Sequence, residues 1–102
     1  MYRYQILIEY VGTSFVGWQI QKKGKSIQKI VQLTLSKLLK QKILLYGAGR
    51  TDRGVHASEQ SAHFDVKNKI QNIHKIVKSL NYFLNNKMIS IINIKKKKFN
   101  FH

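Results

Sequence analysis

Hydrophobic and polar positions fall into strand-like runs and helix-like stripes along this chain. Tyr2 to Val11 is rich in Tyr, Ile and Val and reads as a strand, which Gly12-Thr13-Ser14 ends. Phe15-Val16-Gly17-Trp18-Gln19 is a short aromatic loop, and Lys22-Lys23-Gly24-Lys25 is a basic turn. Ser26 is placed to cap a helix. After it, Ile27, Ile30, Val31, Leu35, Leu38 and Leu39 fall on one helical stripe, with Leu33 off it. Ile43 to Tyr46 predicts a short strand that runs into a glycine-rich loop. Glu59 to Val66 predicts another, with Gln60, Ala62, Phe64 and Val66 alternating against Ser61, His63 and Asp65. Asn68 and Gln71 have the spacing of a capping box, with Asn in place of the usual Ser or Thr. Ile70, Ile73, Ile76, Val77, Leu80, Phe83 and Leu84 form a second amphipathic stripe. Met88 to Ile94 predicts a last strand, which the charge run Lys95 to Lys98 should end.

The order is β-α-β-β-α-β, the ferredoxin-like or split βαβ pattern. It predicts an α+β domain: an antiparallel sheet with two helices on one face. A two-layer domain leaves one sheet face polar. Here Ile92 and Ile94 alternate against Ile89 and Ile91, and Leu7 against Ile6 and Ile8, so both faces read as partly apolar. That predicts an open face packed on another domain or subunit, against the plainer reading of a few exposed aliphatics.

Composition narrows the class. With 102 residues and 43% hydrophobic positions, the chain is long enough for one small domain and apolar enough to fold. No apolar run approaches the ~18 residues that cross a membrane, and the opening residues read as a strand, not a signal peptide. Cysteine is absent, which excludes disulfides, thiolate metal sites and cysteine nucleophiles. A cytoplasmic protein is the expectation. The net charge of +15 attracts polyanions, nucleic acid first among them. Lysine supplies 16 of the 19 basic residues in a chain also rich in Ile and Asn, so compositional bias is the competing explanation.

The chemistry concentrates in Gly47-Ala48-Gly49-Arg50-Thr51-Asp52-Arg53-Gly54-Val55-His56-Ala57. Asp52, one of only four acidic residues, sits between two of the three arginines, and neighbouring cations favour a charged carboxylate. Three glycines in eight residues allow sharp turns and close approach to a ligand. A lone Asp in such a loop is ordinarily a turn or cap residue.

Gly49-Arg50-Thr51-Asp52-Arg53-Gly54-Val55-His56-Ala57 resembles the central motif of the tRNA pseudouridine synthase A family. Ile8-Glu9-Tyr10-Val11-Gly12-Thr13, with Phe15 to Gln19, resembles its opening strand and aromatic loop. Ser26-Ile27-Gln28 resembles the start of its first helix, and Gln60 to Phe64 the strand after the motif. The resemblance implies conversion of uridine to pseudouridine in the anticodon stem-loop of tRNA, with no cofactor, metal or cosubstrate. It implies Asp52 as the catalytic aspartate, acting as a nucleophile or as a base on the ribose. Arg50 is the candidate to fill the space of an extruded base or hold a phosphate, with a structural salt bridge to Asp52 as the alternative. Arg53 stands where the family usually has a small residue; extra phosphate affinity and a neutral surface change are weighed equally. Gly49, Thr51, Gly54 and His56 support the motif, and His56 reads as a core or turn histidine. Phe15, Trp18 and Tyr10 are candidates to stack on bases, against core packing. Lys22, Lys23 and Lys25 are candidate phosphate contacts, against a solvated turn.

Enzymes of that family are considerably longer, and Phe101-His102 resembles the first part of a Phe-His-Ala-Arg segment. The expectation is therefore a single N-terminal catalytic-half domain over residues 1–102, without the half that carries a base-packing tyrosine and further basic residues of the cleft. Its partners would be tRNA and, at full length, a second copy in a homodimer, with no membrane. The alternatives are a non-catalytic RNA-binding module of the same topology or a truncated gene remnant.

Overall fold

A computed structural model describes residues 1–10, 26–47 and 58–101. The strands are β1 (Tyr2–Tyr10), β2 (Tyr46–Gly47), β3 (Ser58–Val66) and β4 (Ile89–Lys97); the helices are α1 (Ile27–Leu39) and α2 (Ile73–Leu84). A short 3-10 turn, Asn85–Lys87, follows α2. The sheet order is β2-β3-β1-β4, and every neighbouring pair is antiparallel. This is the ferredoxin-like α+β arrangement that the element order predicts.

β1 alternates as expected: Tyr4, Ile6, Ile8 and Tyr10 are buried, while Arg3, Gln5 and Leu7 are half-buried and Glu9 is exposed. Nine register pairs hold β1 to β3, from Tyr2 opposite Val66 to Tyr10 opposite Ser58. Across them Tyr4 stacks on Phe64 at 5.8 Å between ring centres. Both helices pack on this buried row. α1 contributes Ile27, Val31 and Leu35, and α2 contributes Leu80 and Leu84. Ser26 caps α1 by accepting from Lys29 N–H at 3.2 Å, and Leu33 is exposed as its position off the stripe predicts.

Four expectations are corrected. The predicted strand Ile43–Tyr46 becomes a strand only at Tyr46 and Gly47; Ile43 and Leu45 are buried but pair with α1 side chains instead of the sheet. α2 begins at Ile73, not after Asn68. Asn72 is its cap, accepting from Lys75 N–H, and Ile70 N–H is taken by the hydroxyl of Tyr4 at 3.0 Å. Phe83 lies at the edge of the α2 stripe and is exposed, edge-on to Tyr82. β4 runs on through Lys97, because Lys95, Lys96 and Lys97 pair with Gln5, Tyr4 and Arg3. Lysine suits such a strand at the sheet's edge, where it discourages pairing with other chains.

The two-faced pattern of isoleucines in β4 also resolves. Register passes from Leu7 opposite Asn93 to Ile8 opposite Ile91, leaving Ile92 unpaired in a bulge. One extra residue reverses the alternation. Ile89, Ile91 and Ile94 therefore all reach the helix side, and Ile92 alone of the four is exposed. The part of that expectation carried by β4 thus falls away, while Leu7 stays on the open face. That face presents Arg3, Gln5, Leu7, Ser61, His63, Asp65, Lys95 and Lys97.

Candidate functional site

The motif loop joins β2 to β3, so its two arms are the described neighbours of Asp52. Asp52 itself, with Gly49, Arg50, Thr51, Arg53, Gly54 and His56, lies outside the described residues, as do Phe15, Trp18, Lys22, Lys23 and Lys25. β3 begins at Ser58 opposite Tyr10, the last residue of β1.

The arm entering the loop is built by α1. Gln28, Gln32 and Ser36 are spaced four apart and form one row along the helix, beside the buried row of Ile27, Val31 and Leu35. Ser36 Oγ accepts from Ile43 N–H at 2.9 Å; Gln32 Oε1 accepts from Leu45 N–H at 2.9 Å; Gln28 Nε2 donates to Leu45 C=O at 2.6 Å. β2 then adds two register pairs, Tyr46 with His63 and Gly47 with Ala62.

Rings continue the hold on the open face. Tyr46 stacks on His63 at 5.3 Å, and Phe101 meets His63 edge-on at 6.4 Å. Arg3 fastens the segment after β4. Its Nη1 donates to Phe101 C=O at 2.7 Å, its guanidinium lies 4.6 Å over the Phe99 ring, and its Nε and Nη2 grip both Asp65 oxygens at 2.8 and 3.0 Å. The paired, charge-assisted hydrogen bonds from Arg3 hold the Asp65 carboxyl below its usual range and push the guanidinium up.

Of the two readings of Tyr10, base stacking and core packing, the structure gives the second: its ring is 2% exposed and belongs to the core. Burial pushes its phenol pKa up, and its hydroxyl has no hydrogen-bond partner among the described residues. Among those residues no group of three His, Asp or Glu is placed to hold a metal ion. A groove lined by Lys40, Lys69 and Lys75 lies between the end of α1 and the start of α2, at the end of the sheet opposite the Tyr10–Ser58 pair. No helix among the described residues is long and apolar enough to cross a membrane.

Sequence reasoning passed over Gln32, Ser36, Tyr46 and Arg3, and gave Gln28 only as part of a resemblance. A polar row repeating every four residues beside an apolar one was the available signal for the first two. Nothing local marks Arg3 and Asp65 as partners 62 positions apart.

The fold is a ferredoxin-like α+β unit whose sequence carries a charged glycine motif between two adjacent strands, β2 and β3. Over residues 6–102 the sequence matches the family model described as tRNA pseudouridine synthase, and the chain belongs to that family. It is similar to tRNA pseudouridine synthase A of Pelagibacter ubique (strain HTCC1062), with 65% identity over 102 residues covering 100% of this chain and 42% of that protein. It is also similar to tRNA pseudouridine synthase A of Anaplasma phagocytophilum (strain HZ), with 40% identity covering 98% of this chain and 41% of the relative. The chain thus spans about two fifths of the length of these curated relatives.

Proposed function

We propose that this chain supplies the Asp52-bearing N-terminal catalytic half of a cytoplasmic enzyme that isomerises uridine to pseudouridine in the anticodon arm of tRNA. The observation that carries the reading is the complete Gly-Arg-Thr-Asp-x-Gly-Val-His-Ala motif in a chain matching the family over residues 6–102. In this reaction the glycosidic C–N bond breaks, the uracil turns, and a C–C bond forms to the same ribose. Composition is conserved, so the chemistry requires positioning and charge rather than a cosubstrate. A stacked uridine must first leave its helix or loop, and Arg50 is suited to occupy the vacated space or hold a phosphate. Asp52, flanked by Arg50 and Arg53, stays anionic, which suits a nucleophile or a partner for a cationic sugar. Lys22, Lys23, Lys25 and Arg53 would bind the RNA backbone. The other wall of the cleft would come from the part of the enzyme that the longer relatives carry, and the working form would be a homodimer.

The test uses the protein at the full length of its relatives, with pseudouridine in a tRNA transcript measured by mass spectrometry of nucleosides. Asp52→Asn and Asp52→Ala should abolish product; retained product would sink the assignment. The 102 residues alone should turn over no tRNA.

A further inference from the structure

Leu45 is the last residue before β2, and both of its backbone groups end on α1. Its N–H meets Gln32 Oε1 at 2.9 Å and its C=O meets Gln28 Nε2 at 2.6 Å. The backbone groups dictate which amide atom each glutamine presents: oxygen to an N–H, nitrogen to a carbonyl. The helix thereby does for Leu45 what a neighbouring strand would do. Without it, the route into the motif would rest on two register pairs to β3, whereas nine fix the arm that leaves it. Leu45 stands seven positions before Asp52, so where it leaves the core sets where the motif starts.

We propose that Gln28 and Gln32 are positioning residues for the Asp52 loop, acting through the backbone of Leu45. The inference rests on Asp52 being the catalytic carboxylate. A bracket of opposite polarities favours one register: a shift along the strand brings carbonyl toward carbonyl or N–H toward N–H unless a side-chain amide turns over to follow it. Such control matters because a displacement of about 1 Å costs reacting groups roughly 100-fold in rate.

The opposite polarities supply the test. Gln32→Met removes the acceptor, and Gln32→Glu restores one of the same size. Gln28→Met removes the donor, and Gln28→Glu sets a second acceptor against the carbonyl. In the full-length enzyme, both Met variants should lose about 10- to 100-fold in kcat with KM within about threefold. A carboxylate should rescue turnover at position 32 and fail to rescue it at position 28. A role in packing alone would treat the two positions alike, so rescue at both, rescue at neither, or undiminished kcat in the Met variants overturns the inference. Amide hydrogen exchange at Leu45 reads the bracket without activity: it should accelerate in Gln32→Met and return toward wild type in Gln32→Glu. Unchanged exchange in Gln32→Met also overturns it. Asp52→Asn runs in the same assay. If that variant keeps its activity, the assignment of Asp52 fails, while the exchange result still decides whether the bracket holds Leu45.

Discussion

The two arms of the motif loop are held by different physics. β3 leaves the loop in a backbone ladder with β1, nine register pairs long, over a buried row of Gln60, Ala62, Phe64 and Val66. The segment through Ile43 and Leu45 approaches the loop on hydrogen bonds to Gln28, Gln32 and Ser36, and only then joins the sheet for two residues. A ladder distributes its hold over many bonds, and each is available to almost any residue type. A side-chain bracket concentrates the hold in a few amides and a hydroxyl, each of which a single substitution removes. The leaving arm should therefore fail through its core, whereas the approaching arm, with Ile43 and Leu45 equally buried, should also fail on loss of a single polar side chain of α1.

The largest effect that breaks this contrast lies in the ladder's core. Phe64 is fully buried against Tyr4. Phe64→Ala should cost about 3–5 kcal/mol, the usual range for removing a buried aromatic, and urea denaturation should show it as one cooperative loss. A smaller effect belongs to the bracket. Ser36→Ala strips the acceptor from Ile43 N–H, and an unpaired, partly buried backbone donor costs about 1–3 kcal/mol. Exchange at the Ile43 amide should accelerate while the β1 and β3 amides keep their protection; equal acceleration in all three would erase the distinction between the arms.

The smallest effect sharpens the comparison through pH. Asp65, at the far end of β3 from the loop, has its pKa lowered from the ordinary 3.8 by hydrogen bonds from Arg3. Its contribution to stability is therefore fully present above that ordinary value. It is lost as pH falls through the depressed folded-state value. Denaturation midpoints followed downward from pH 5 should fall more steeply in the wild type than in Asp65→Asn. Parallel curves would show that the Arg3 pair adds nothing to the ladder.

Much of this was legible from local pattern. Alternation in β1 and β3 named the rows that face the helices, Ser26 announced the start of α1, and the glycine motif pointed to the family that the chain matches. Three features were not legible, each because a distant group competed with a local preference. The Asn68–Gln71 spacing suggests a cap, but Tyr4 takes the Ile70 N–H and Asn72 caps instead. Ile43 to Tyr46 has strand composition, yet α1 satisfies the backbone that a strand would have satisfied. In β4, four isoleucines read as two faces until one bulge moves three of them to the same side.

The amino-acid sequence by itself determined the order of elements, the makeup of the core, the basic surface and the motif at Asp52, because each is written in neighbouring residues and their period. Tertiary structure alone decided how the motif is approached. A hydrogen bond between Gln28 and the carbonyl of Leu45 spans 17 positions. It exists only where the shared core brings α1 beside the segment through Leu45, and no pattern of neighbouring residues encodes that meeting.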